Sequence, residues 1–146
     1  MKERPVTGDS VLCPSARPET AGSMLFGVVG GTVTEPRVMP LAQPQRVDDE
    51  ILALSGPVKP TEVFRFAAPC ATGACEHFKG GQCRLAQRIT HALPAVVEQL
   101  PHCLLRANCR WYQQEGKEAC FRCPQIVTES YNAPPALIQI ARTAGP

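Results

Sequence analysis

The sequence predicts a small, loop-rich α+β domain, with short strands in its N-terminal half followed by a helical, cysteine-rich half. Three observations predict this. Apolar residues fall at helical spacing only after position 83, where Leu85, Ile89, Ala92 and Leu93 recur three and four apart. Before that point the apolar pieces are short and interrupted by many of the chain's fifteen prolines and eleven glycines, which disfavour long regular elements. Seven of the eight cysteines crowd between positions 70 and 123. At 146 residues there is length for one modest core but not for two.

Taken in order, residues 1 to 22 read as a disordered leader, punctuated by Pro5, Gly8, Pro14, Pro18 and Gly22 and lacking apolar periodicity. Cys13 lies inside it beside Pro14 and reads as an incidental free cysteine. Residues 23 to 69 form a Pro/Gly-rich, strand-containing segment. Leu25 to Val33 suits a strand with a bulge or close approach at Gly30-Gly31, and Val38 to Leu41 suits a short edge strand beside it. Asp48 can cap a helical turn through Leu54, and Thr61 to Phe66 alternates polar and apolar residues as a strand leading to Cys70. The Gly27 and Gly30-Gly31 spacing lacks the dinucleotide fingerprint and a following Lys-Ser/Thr, which excludes a phosphate loop.

Residues 70 to 132 make up the cysteine-rich unit. Arg84 to Leu93 is expected as an amphipathic helix, Pro94 as its break, and Ala95 to Leu100 as a further turn and a half. A second helix is expected from Cys109 to Ala119. Residues 133 to 146 are a tail in which Ala136 to Ala141 suits either a short helix or a strand.

A formal net charge of +2 and a pI near 8.2 are too mild for a phosphate-tracking surface, so nucleic acid is not an expected partner. The polar start Met1-Lys2-Glu3-Arg4-Pro5 and the short, glycine-broken run Met24 to Val33 argue against a secretory signal, and no stretch is long enough to span a bilayer. A cytoplasmic location follows as the expectation. In a reducing compartment, clustered thiols are better read as ligands than as disulfides.

The cysteines form an approximate internal repeat over residues 70–93 and 103–126. Cys70-x4-Cys75-Glu76-His77-Phe78 leads through Gly80-Gly81 to Cys83-Arg84. Cys103-x5-Cys109-Arg110-Trp111-Tyr112 leads through Gly116 to Cys120-Phe121. If the halves are equivalent, they form two related half-sites. Only the second has a further thiol three residues on, Cys123; the matching place after Cys83 is Ala86.

This pattern points to metal, and the domain is expected to be stapled by it. Cys-x2-Cys lets two sulfurs converge while the turn between them aims amides at sulfur. Cys120 to Pro124 resembles the Cys-Pro ending of bacterial ferredoxin cluster motifs; the closely spaced run before it is absent, and no ferredoxin fold is implied. Zinc sites favour two short knuckles, whereas the wider gaps here suit a larger object approached from several loops. The expected cofactor is therefore an iron–sulfur cluster of 4Fe-4S type held by Cys103, Cys109, Cys120 and Cys123, with zinc as the alternative. Cys70, Cys75 and Cys83 form a less complete metal-binding set that His77 can complete through imidazole nitrogen. Arg84, Arg106, Arg110, Lys117 and Arg122 lie near the cysteines in sequence, where they can offset the charge of thiolates, and Trp111 and Tyr112 can shield the site.

The function expected is that of a small cytosolic iron–sulfur protein acting in electron transfer or as an accessory to a larger redox or biosynthetic enzyme, and not an enzyme on its own. Its partner would be a redox protein or client enzyme. The alternatives are a zinc-stapled protein-interaction module and a thiol- or cluster-dependent enzyme. Cys120-Phe121-Arg122-Cys123 has dithiol spacing but lacks the strand-to-helix context of a thioredoxin-like site.

Overall fold

The computed structural model of the protein describes residues 11–32, 35–71, 75–128 and 135–141. It is a mixed α+β fold: a four-stranded antiparallel sheet comes first and short helices follow. The strands are β1 (Leu12–Ala16), β2 (Met24–Gly31), β3 (Pro36–Arg46) and β4 (Phe64–Pro69), ordered β1-β4-β2-β3.

Strand β1 corrects the expected leader, of which residues 1 to 10 lie outside the described residues. Leu12 and Pro14 are buried, and Leu12 and Cys13 pair with Pro69 and Ala68 of β4. A strand this short carries too few apolar side chains to show periodicity, and Pro14 is tolerated because β1 is an edge strand. The other edge, β3, holds Pro36, Pro40 and Pro44 for the same reason, and its pairing with β2 runs well past the expected Val38 to Leu41. Gly27 of β2 is required by close approach: a Cβ there would stand 2.8 Å from Val38 Cγ1.

The two faces of the sheet carry different loads. Leu25, Phe64 and Phe66 face one side, where α1 (Asp49–Ala53) contributes Ile51 and Leu52. Helix α1 opens as the sequence suggests, with Ile51 N donating to Asp48 Oδ1 at 2.9 Å. Phe26 and Ala67 face the other side and share a core with Ala86, Ile89, Leu105, Trp111 and Ile126.

Residues 61 to 63 correct the expected strand start. They belong to a helical turn, α2 (Pro60–Val63), opened by Pro60, and β4 begins at Phe64. Because β4 is central, every residue from Phe64 to Ala68 is buried.

A two-residue hairpin, β5 (Phe78–Lys79) and β6 (Gln82–Cys83), leads into α3 (Arg84–Ala92), close to the predicted span. The extra turn expected over Ala95 to Leu100 does not form. Between Pro94 and Pro101 the backbone is irregular, and Val96 N donates instead to Phe121 O at 2.9 Å. The helix expected from Cys109 to Ala119 is two helices, α4 (Arg110–Glu115) and α5 (Lys117–Arg122). Gly116 separates them at φ 77°, a conformation open to glycine. The tail resolves as a helix, α6 (Pro135–Ala141); residues 142 to 146 lie outside the described set. Among the described residues no helix is long and apolar enough to cross a membrane.

Candidate metal centre

Cys103, Cys109, Cys120 and Cys123 reach one cavity by four local routes. Cys103 precedes the 3-10 turn Arg106–Asn108, Cys109 starts α4, Cys120 lies in α5, and Cys123 opens the 3-10 turn Cys123–Gln125. Cys120 and Cys123, three apart at the end of one helix, present their side chains to the same side. All four line a cavity of about 40 Å³, together with Leu105 and Trp111. Its walls are almost wholly apolar carbon and sulfur, and it has several times the roughly 10–15 Å³ that one water needs.

Burial dominates the acid–base chemistry of these thiols. It pushes Cys109 up to about 12, with the fields of Cys123 and Cys103 adding and the Tyr112 and Trp111 amides opposing. Cys103 is raised by burial and by Cys123 and Cys120, against the Leu105 amide and the Arg106 charge. Cys120 is raised by burial, while a hydrogen bond from Arg106 and its charge pull the other way. Each of the three thus stands in the field of neighbours from the same foursome.

One cation of the sheet reaches the site's edge through Cys123. Arg65, in β4, is fully buried. Its guanidinium donates to Pro14 O (3.0 and 2.7 Å), to Cys123 O and Ile126 O (both 3.0 Å), and to Cys123 Sγ at 3.3 Å. Its central carbon lies 5.2 Å from the Phe26 ring centre and 5.6 Å from that of Trp111. Among the described residues no carboxylate pairs with it. Two residues of the lining, Arg106 and Trp111, each carry a buried donor, Nε and Nε1, that finds no acceptor among the described residues.

Cys70, Cys75, Cys83 and His77 line a second, wider cleft of about 660 Å³. Cys70 leaves β4, its N–H donating to Val11 O at 2.7 Å. Cys83 caps α3, its sulfur accepting from Ala86 N at 3.4 Å, and its backbone is held on both sides by Gln114 of α4, with two bonds of 2.8 Å. Cys75 Sγ accepts from His77 N at 3.4 Å. His77 faces Arg88 through Nδ1 at 3.1 Å and Glu76 through Nε2 at 4.0 Å. Burial, then the Arg88 charge, lowers its pKa against the pull of Glu76, which keeps the imidazole neutral at pH 7.

The repeat in sequence is not a repeat in structure. Between Cys75 and Cys83 the chain makes the β5–β6 hairpin, whereas between Cys109 and Cys120 it makes α4 and enters α5. Of the five cations near the cysteines, Arg106 reaches a thiol. Arg84 bonds Gln87, Arg110 stacks on Phe78 at 5.1 Å, and Arg122 bonds Leu93 O and Glu118. Sequence reasoning missed Arg65, read as the polar side of an alternating strand, while Cys13, read as an incidental cysteine of the leader, lines the second cleft with Cys70, Cys75 and Cys83. Among the described residues, no three Cys, His, Asp or Glu side chains are grouped so as to hold a metal ion. No family model, curated protein or solved structure matches the chain.

Proposed function

We propose that this chain is a small iron–sulfur protein that passes single electrons to a protein partner or serves a larger redox or biosynthetic enzyme, with a 4Fe-4S cluster on Cys103, Cys109, Cys120 and Cys123. The observation that carries this reading is the buried Arg65 guanidinium donating to Cys123 Sγ at the edge of a four-thiol cavity. A buried cation is costly without an opposite charge even when its N–H groups are all hydrogen-bonded, and an anionic thiolate-bound centre would supply that counter-charge. The unpartnered donors Arg106 Nε and Trp111 Nε1 fit the same object, since bridging sulfides accept hydrogen bonds. Four thiols lining one cavity supply the donor set that a cubane cluster takes.

When bound, the cluster supplies one-electron redox chemistry. The chain's own residues hold and tune it. Burial keeps the Cys103, Cys109 and Cys120 thiols protonated at neutral pH, and ligation releases those protons. Trp111 and Leu105, both buried, keep water from the cavity. Arg65 and Arg106 place positive charge at the Cys123 and Cys120 sulfurs, which favours the reduced, more negative state.

Anaerobic purification followed by visible absorption and acid-labile sulfide analysis tests the reading. A brown protein containing iron and sulfide is expected. A colourless protein with stoichiometric zinc and no sulfide overturns it in favour of a zinc-stapled module.

A further inference from the structure

We infer that Cys13 completes a second four-thiolate site with Cys70, Cys75 and Cys83, so that the protein carries two iron–sulfur clusters. This rests on the iron–sulfur reading of the first set and extends it to all eight cysteines.

The geometry comes from β1. Cys13 pairs with Ala68 of β4, and two residues further on Cys70 leaves that strand with its N–H on Val11 O at 2.7 Å. The β1–β4 ladder therefore fixes two thiols at the same end of the sheet. Gln114 clamps the Cys83 backbone from α4, and Cys75 closes the cleft from the loop before β5. All four line the same cleft of about 660 Å³. The neighbours felt by Cys13 are Cys83, Cys70 and Cys75, and those felt by Cys83 are Cys75 and Cys70.

His77 is the competing fourth ligand, and its ring is already engaged. Nδ1 accepts from Arg88 at 3.1 Å, which places the proton of a neutral ring on Nε2, toward Glu76. No imidazole lone pair is left for iron. Cys13 is held in a strand, and among the described residues the partner of its sulfur is the Ser15 amide. Four thiols losing their protons to solvent and giving a sulfur lone pair each to iron make the same donor set as the first site.

The two sites share walls. Alternation along β1 sends Cys13 to one cleft and Pro14 to the other cavity, and Trp111 lines both. Leu12 also bridges to Cys109 of the first set. The clusters are thus neighbours across one strand and one indole, an arrangement suited to passing an electron between them.

Iron and acid-labile sulfide are to be counted per chain in the full-length, anaerobically reconstituted wild type and in the Cys13→Ser and His77→Ala variants. Two cubane clusters predict about eight irons in the wild type and in His77→Ala, and about four in Cys13→Ser. A Cys13→Ser protein that keeps the wild-type count overturns this inference while leaving the first cluster standing, and so does halving by His77→Ala alone. Should Cys13→Ser fail to fold, the wild-type count still decides: about four irons refutes the second cluster, about eight supports it. A wild type with neither iron nor sulfide removes the iron–sulfur reading itself.

Discussion

Arg65 Nη2 donates to Cys123 Sγ at 3.3 Å from inside a sheet strand, so the central strand of the fold and the last cysteine of the chain are one structural unit. The same guanidinium holds Pro14, Cys123 and Ile126 by their carbonyls, gathering β1 and the segment after α5 onto β4. Lysine at this position keeps the charge but cannot span these acceptors. Arg65→Lys is therefore expected to cost on the order of 3 kcal/mol, since several buried carbonyls lose their donor. Urea denaturation measures it; a loss below about 1 kcal/mol contradicts the role given to the fork.

Trp111 is the chain's only tryptophan and lines both thiol-bearing cavities. Its emission should be strongly quenched by an adjacent coloured cluster. Removing iron with a chelator under mild conditions is expected to raise the fluorescence several-fold, and refilling with iron and sulfide to lower it again. An emission indifferent to loading argues against an inorganic centre beside the indole.

Gly116 has φ 77° and ψ −159°, a region essentially reserved for glycine, and an added Cβ would touch nothing within 4 Å. Gly116→Ala therefore isolates backbone strain from packing, with an expected cost of about 1–3 kcal/mol. Because this residue sets α4 against α5, and hence Cys109 against Cys120, the variant should also release iron to a chelator faster than the wild type. Unchanged stability by thermal denaturation contradicts the strain argument.

How much of this was legible in the sequence follows from burial. Helix α3 was readable because one face is buried and the other is not, so Ile89 and Leu93 stand out at helical spacing. The start of β4 was misread because residues 61–63 alternate like a strand but follow Pro60 into a helical turn, and Arg65 was misread because alternation marks half-buried strands whereas β4 is covered on both faces. The break at Gly116 was visible as a residue but not as a φ value. The strand that carries Cys13 was not legible at all. It is five residues long and contains Pro14, and its order depends on β4 partners more than fifty positions away, which no local pattern encodes.

Loss of the inorganic centre should also be felt by the fold. Cys83, Cys103, Cys109 and Cys123 pack within or against the main core, so a centre that binds only the folded chain stabilises it by its binding free energy. Chelation is expected to lower the melting temperature by at least about 10 °C in scanning calorimetry. A melting temperature that does not move would show that the thiols carry no structural metal.

The central claim is that Cys103, Cys109, Cys120 and Cys123 bind several irons bridged by sulfide, and X-ray absorption at the metal edge addresses it most directly. In the wild-type protein the iron edge is predicted to show a sulfur shell with a second, iron–iron scattering shell, and Cys109→Ser is predicted to lose a large part of that second shell. Absorption at the zinc edge with sulfur neighbours and no metal–metal scattering would contradict the account.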